Sequence, residues 1–233
     1  MIQLYPAQER YTADHGWLKS NFSFSFADYY DPNNMNFGVM RVLNDDVVQP
    51  HYGFGKHPHR EMEIVSIVLS GHLKHEDSTG NAAVTTYGQV QRMSAGTGVM
   101  HSEMNGGADE VHFLQMWFMP ERNGLEPSYE TTDYDLSLMK NNLLPVVSKQ
   151  QSGPNVADIH QDLTIYMSEL EAGQTIHFTQ KDNRRTFVFV LEGSITINET
   201  SELGKRDSAR ITEETALTLQ STSGAVFMLI DLP

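Results

Sequence analysis

The chain has 233 residues, 16 of them basic and 30 acidic, for a formal net charge of −14, and it has no cysteine. Without cysteine there can be no disulfide, thiolate nucleophile, CxxC redox pair, iron–sulfur cluster or Cys-type zinc site, so any protein-bound metal must be held by nitrogen and oxygen. The acidic excess argues against direct nucleic-acid binding and against anionic membrane surfaces, both of which need clustered Lys and Arg.

A chain this long can bury roughly 70% of its unfolded surface, so a folded core is expected. The segment Met1 to Arg10 lacks the basic region and apolar stretch of a signal peptide. The richest apolar run, Val111 to Met119, falls far short of the ~20 residues that span a bilayer. A cytoplasmic protein is the expectation.

Strand signals run through the chain. Phe22-Ser23-Phe24-Ser25-Phe26 alternates with period two, predicting a strand with three core aromatics on one face. Ile64 to Leu69 is rich in β-branched residues and stops at Ser70-Gly71. Val84 to Tyr87 follows the turn Asp77 to Asn81, and Val111 to Met119 reads as a buried strand closed by Pro120. From Glu121 to about Asn155 the periodicity weakens and Pro, Gly and Asn accumulate, predicting a linker with one short strand near Leu144 to Val147. Thr186 to Leu191, Ser194 to Asn198 and Ala225 to Ile230 are further strands. Val68-Leu69-Ser70-Gly71 recurs as Val190-Leu191-Glu192-Gly193, which suggests a duplicated β-module. Short strands joined by Gly- and Asn-bearing turns predict an all-β sandwich or barrel.

Chemistry concentrates in two stretches, Gly53-Phe54-Gly55-Lys56-His57-Pro58-His59-Arg60-Glu61-Met62-Glu63 and Ser94 to Asn105. On a strand, residues i and i+2 share a face about 6.5–7 Å apart. His57 with His59 and His101 with Glu103 are such pairs, and if their strands are neighbours the four side chains point at one spot. Three imidazoles and a carboxylate suit iron, zinc, nickel, copper or manganese and are poor for calcium or magnesium. An octahedral ion on four protein donors keeps two open positions, whereas a tetrahedral zinc would be closed and structural; spacing does not choose between them. Gly53-Phe54-Gly55 and Gly96-Thr97-Gly98 complete no phosphate-loop pattern and read as turns. Met62, Met93, Met100 and Met104 read as core, with a Met-lined pocket for a flat aromatic as the sharper alternative. His51, His72, His75 and His112 read as structural or solvated.

At these residues the chain resembles the pirins, two-domain members of the cupin superfamily. The resemblance runs through His15 to Ser20, Phe24 to Phe26, Tyr29 to Pro32, Asn44-Asp45-Asp46, Gly53 to Glu63, His75 to Asn81 and Ser94 to Glu103. It covers most of the first 120 residues, and the second half matches in outline. It implies an all-β fold of two cupin-type β-barrel (jelly-roll) modules packed in one chain. The expected division is an N-terminal cupin domain over 1–125, a linker over 126–155 and a C-terminal cupin domain over 156–233.

The resemblance also assigns metal binding to His57, His59, His101 and Glu103. Glu63 occupies the slot of the further glutamate of the general cupin pattern and is expected to accept an imidazole N–H. In the second module Thr179, Lys181 and Arg185 align with His57, His59 and Glu63, and Thr218 and Gln220 with His101 and Glu103, so one divalent transition metal per chain is expected. Fe(II) is the first choice, with Zn, Ni, Cu, Co and Mn as alternatives. Bacterial pirins of this kind resemble quercetinases, flavonol dioxygenases that open the central ring with O2 and release carbon monoxide. Glu103 would then be both ligand and catalytic base for the flavonol hydroxyl. The alternative is a non-catalytic metal-binding regulatory protein that acts through protein partners.

Overall fold

The repeated Val-Leu-x-Gly motif marks matching corners of the structure. Gly71 (φ +80°) and Gly193 (φ +74°) both occupy the left-handed region at tight approaches. A Cβ on Gly71 would lie 2.6 Å from the Glu110 carbonyl oxygen, and one on Gly193 would lie 2.1 Å from that of Gly224. The computed structural model describes residues 1–151, 153–181 and 183–233. In its first half the strands are β1 (Ile2–Tyr5), β2 (Tyr11–Asp14), β3 (Leu18–Phe22), β4 (Met40–Val48), β5 (Gly53–His59), β6 (Glu63–Ser70), β7 (Leu73–Asp77), β8 (Ala82–Thr85), β9 (Gln89–Ser94), β10 (Val99–Asn105), β11 (Val111–Phe118) and β12 (Ser128–Asp133). There follow β13 (Leu144–Ser148), β14 (Thr164–Leu170), β15 (Thr175–Thr179), β16 (Arg185–Gly193), β17 (Ile195–Ile197), β18 (Ser201–Leu203), β19 (Ser208–Thr212), β20 (Ala216–Gln220) and β21 (Ala225–Leu232). No helix is long and apolar enough to cross a membrane.

The strands form two compact units. One comprises Tyr11–Tyr134 and residues 153–161; the other comprises Met1–Arg10, Asp135–Gln151 and Asp162–Pro233. The first holds a seven-stranded sheet, β12-β9-β6-β11-β4-β3-β2, and a four-stranded sheet, β5-β10-β7-β8. The second holds a six-stranded sheet, β1-β19-β16-β21-β14-β13, and a four-stranded sheet, β15-β20-β17-β18. Adding ten to each strand number from β3 to β11 converts the first topology into the second. The chain is thus all-β and internally duplicated, as its sequence echo implied.

The units are drawn differently from the division at 125 and 156. β1 pairs antiparallel with β19, which places the first ten residues in the C-terminal unit. Residues 153–161 join the N-terminal unit, where the His160 N–H donates to Glu63 and the Gln161 side chain donates to the Met119 carbonyl. The stretch expected as a linker is built into the sheets: Ser128–Asp133 pairs with β9 and Leu144–Ser148 with β14. Its weak periodicity reflects β12 being an edge strand with one buried residue, Thr132.

The predicted Phe22–Phe26 strand ends at Phe22. The Ser25 hydroxyl both donates to the Asp31 carbonyl and accepts from the Asp31 N–H, closing a loop instead of continuing a ladder. Phe22 and Phe24 are buried, while Phe26 is only partly so.

The interiors of the two units differ in kind. In the C-terminal unit fourteen buried apolar residues, among them Ile176, Val190, Leu217, Leu219 and Phe227, form one continuous cluster. The apolar clusters of the N-terminal unit include one around Leu18, Val68 and Phe113 and another around Ile64, Met93 and Val99. That unit also buries Ser66, His75, Gln91, His101, Glu103 and Gln115. Polar groups are costly to bury unless they are hydrogen-bonded, so this polar interior must be internally satisfied.

Candidate metal centre

Strand alternation places the histidines. Along β10, Val99, His101, Glu103 and Asn105 are the buried members. β10 pairs antiparallel with β5, setting His101 opposite His57 and Val99 opposite His59, with a register irregularity between His101 and Glu103. On its other side β10 pairs with β7, setting His101 opposite Asp77 and Glu103 opposite His75.

The rings of His57, His59 and His101 converge. Their centroids lie 4.8 Å (57–59), 4.5 Å (57–101) and 4.8 Å (59–101) apart. Donor atoms of these three residues all lie within 4.8 Å of one another. Nε2 of His57 and Nε2 of His101 are 3.0 Å apart. Two nitrogens each ~2.1 Å from one ion stand about 3.0–3.4 Å apart, so this spacing is close enough for both to reach a single ion. The donor set suits a divalent transition metal.

Neighbouring groups set which nitrogen is free. His57 directs Nδ1 at the Gly55 carbonyl, 2.7 Å away, so Nδ1–H donates and Nε2 keeps its lone pair. Nδ1 of His101 lies 3.3 Å from Nδ1 of His75, and Nε2 of His75 lies 3.1 Å from Oδ2 of Asp77. As a carboxylate, Asp77 accepts from His75 Nε2–H. Nδ1 of His75 then accepts from His101, which leaves His101 Nε2 unprotonated toward His57. Asp77 is itself clamped: Oδ1 accepts from the N–H and hydroxyl of Thr79 and the N–H of Asn81, and Oδ2 from the Asn81 amide. Burial opposes ionisation, yet these bonds together hold its carboxyl below the usual range. Burial, and then repulsion from neighbouring rings, lowers His59 to about 4 and His101 to about 2, so both stay neutral as metal ligands require.

Glu103 is buried and fully engaged. Oε1 accepts from Gln91 Nε2 at 2.7 Å and from the Ser66 hydroxyl at 3.3 Å, and Oε2 accepts from Gln115 Nε2. A carboxylate oxygen of Glu103 groups with His101 and His75, while the set of three converging imidazoles does not include it. His101 is the member common to both sets.

Glu63 departs from expectation. Its Oε2 accepts from the Ser94 hydroxyl at 2.8 Å and from the His160 N–H at 3.1 Å, and its Oε1 has no hydrogen-bond partner among the described residues. It therefore receives no imidazole N–H. Its ladder positions explain this: Glu63 pairs with Ser94 and Phe118, away from the β5–β10 pair. The imidazole partners are instead Gly55 and the His75–Asp77 pair. His75, expected to be structural or solvated, is fully buried, and its ring stacks on Tyr129 at 4.2 Å. The legible signal was the spacing His75-x-Asp77-x-Thr79-x-Asn81, which gathers one carboxylate's hydrogen-bond donors within a single turn.

A cavity of about 380 Å³ opens beside the cluster, within the range of small-molecule sites. His57, His59 and Glu103 contribute to its wall, together with Trp17, Phe22, Phe26, Phe54 and Trp117. Trp117 packs edge-on against His59 at 4.8 Å and donates from Nε1 to Gln115, the residue that holds Glu103. The lining is aromatic; Met62, Met93, Met100 and Met104 do not contribute to it.

Residues 5–118 match the family model described as Pirin, and residues 145–232 match the Quercetinase C-terminal cupin domain. Over 235 aligned residues the chain is 41% identical to the quercetin 2,3-dioxygenase of Escherichia coli strain K12, with 100% of this chain and 99% of that protein covered. It superposes on the crystal structure of YhhW from Escherichia coli with a TM-score of 0.95, at 40% identity and with 100% and 98% of the two chains covered. It superposes on YhhW in complex with nickel(II) with a TM-score of 0.94, at 39% identity and with 100% and 99% covered.

Proposed function

The chain belongs to the pirin family, and from that premise we propose that it is a metal-dependent dioxygenase that opens the flavonol ring of quercetin or a related aromatic with O2. One observation carries the reading: of three converging imidazoles, those of His57 and His59 stand with the buried carboxylate of Glu103 in the wall of an aromatic cavity, and His101 lies behind them. His57, His59, His101 and Glu103 are the proposed ligands and Fe(II) the first-choice ion. A site with open positions would be needed for this chemistry, and three imidazoles with one carboxylate would leave two on a six-coordinate ion.

A divalent ion bound there supplies a Lewis acid that lowers the pKa of a coordinated hydroxyl. The aromatic wall takes the flat ring system and excludes water. Gly55 and the His75–Asp77 pair hold the rings of His57 and His101 with their free nitrogens facing one another. Gln91, Gln115 and Ser66 fix the carboxylate of Glu103, which takes the proton of the flavonol 3-hydroxyl.

The test is oxygen consumption with quercetin by protein loaded separately with iron, nickel, copper, cobalt and manganese. Turnover with at least one metal, highest with Fe(II), is expected, and inactivity with all five overturns the proposal. Glu103→Ala is expected to lose at least about 100-fold in rate per bound metal, as for a lost general base. An undiminished rate would remove Glu103 from the proton transfer.

A further inference from the structure

Asn44-Asp45-Asp46 lies in the middle of β4, and nothing in the proposed metal chemistry uses it. Asp45 faces away from its neighbours and bonds His112 Nε2 at 2.6 Å. Asn44 and Asp46 both line the aromatic cavity. They stand on the seven-stranded sheet, whereas His57, His59 and Glu103 reach the cavity from the four-stranded sheet. Register sets Asp46 opposite Ser20 on β3 and Asn44 opposite Gln115 on β11.

Both side chains are buried with hydrogen-bonding capacity unspent. Asn44 and Asp46 are 3% and 2% exposed. Oδ1 of Asn44 has no hydrogen-bond partner among the described residues, and a half-turn of the amide would present either its donor or its acceptor end. Asp46 accepts from the Ser20 hydroxyl through Oδ1. Burial, supported by the nearby Asp45 and Glu103 carboxylates, pushes its carboxyl up to about 7, so near neutrality it can donate or accept. Burying such groups unpaired costs free energy that an apolar residue at either position would avoid. Side by side on the wall of an otherwise aromatic cavity, they complement a group that is both donor and acceptor, such as a phenolic hydroxyl.

We propose that Asn44 and Asp46, backed by Ser20, form a subsite that recognises a phenolic hydroxyl on an aromatic ligand, separate from the oxygen directed at the histidines. This rests on the dioxygenase reading and narrows its substrate class to aromatics hydroxylated at a second position. Asn44 and Asp46 then set specificity and leave the metal untouched.

The chain's two tryptophans, Trp17 and Trp117, both line the cavity, so ligand binding can be read from their fluorescence. The experiment titrates metal-loaded protein under nitrogen with quercetin and with 3-hydroxyflavone, which keeps the 3-hydroxyl and carbonyl but lacks the other hydroxyls. Wild type is expected to bind quercetin about tenfold tighter or more, although the less polar compound would be favoured by an apolar cavity alone. In Asn44→Leu and in Asp46→Leu that ratio should fall to about one through weaker quercetin binding, with 3-hydroxyflavone binding and metal content unchanged. If one variant fails to fold, the other variant and the wild-type ratio still decide. A wild-type ratio of one, or variants that keep the wild-type ratio, overturns the subsite, and quercetin-dependent oxygen uptake in the same preparation would leave the dioxygenase reading standing. Absence of binding by either compound, with no oxygen uptake, overturns the dioxygenase reading and the subsite with it.

Discussion

At the scale of single residues, the site depends on side chains that never face the cavity. Asp77 is held by Thr79 and Asn81, His75 by Asp77, and His101 by His75, so the tautomer of one candidate ligand is dictated from a turn. His75→Phe keeps a flat ring against Tyr129 but removes the acceptor for His101 Nδ1–H. It is expected to weaken divalent-metal binding by about 10- to 100-fold with little change in fold, measured by chelator competition and circular dichroism. Protons compete for the same site. In the unfolded chain His59 and His101 take up protons below about pH 6.5, whereas in the fold they resist protonation down to about 4 and about 2. The unfolded state therefore binds more protons as pH falls from 6.5 toward 4, and these rings lower the stability of metal-free protein in that window. The denaturant midpoint of metal-free protein should drop between pH 7 and pH 4.5, and His59→Gln should make that drop smaller. An equal drop in both proteins would contradict the assignment.

At the scale of elements, the site is the contact between two strands. Gly53, the first residue of β5, lies so close to β10 that an added Cβ would sit 2.3 Å from the Glu103 carbonyl oxygen and 2.6 Å from the Met104 Cα. Both are backbone atoms and cannot swing aside. Gly53→Ala must therefore push β5 from β10, the pair that aligns His57 with His101. The expected cost is about 2 kcal/mol or more, together with weaker metal binding, read by thermal unfolding and metal titration. An unchanged melting temperature would show that β5 has more freedom than the register implies. The irregularity between His101 and Glu103 belongs to the same pair: it shifts Glu103 opposite Phe54, while β7 sets His75 beside it. The i, i+2 rule correctly put the two ligand candidates on one face, and the irregular register sorted them into overlapping groups.

At the scale of the whole molecule, one strand plan was used twice and filled in two ways. The C-terminal unit holds a continuous apolar cluster where the N-terminal unit holds buried histidine, glutamate and glutamine. The register of β15 and β20 pairs His177 with Thr218, and among the described residues sets of three metal-competent donors occur in the N-terminal unit. Elemental analysis of purified protein is expected to give one divalent ion per chain, and two tightly bound ions would contradict this. β1 covers β19, an edge whose exposure would offer unpaired backbone groups to other chains. Deleting residues 1–10 is expected to cost about 2–4 kcal/mol and to promote self-association, checked by calorimetry and light scattering. Metal affinity should stay the same, because the imidazoles belong to the other unit.

Strand identity, the duplicated plan and the pairing of His57 with His59 and of His101 with Glu103 were legible in the amino-acid order, because a period of two and a spacing of i, i+2 are local properties of an extended chain. What local order could not carry was which edges meet. The Phe22–Phe26 alternation looked like a strand until Ser25 closed on Asp31. Glu63 sat in a plausible slot until the β6–β9 ladder set it against Ser94 and the chain brought in His160. His75 looked incidental until β7 lay beside β10. Ladder register joins residues dozens of positions apart through backbone groups that every residue shares, so side-chain identity alone does not reveal it. The candidate donors were therefore legible in the sequence, and the groups that orient them were decided by tertiary pairing.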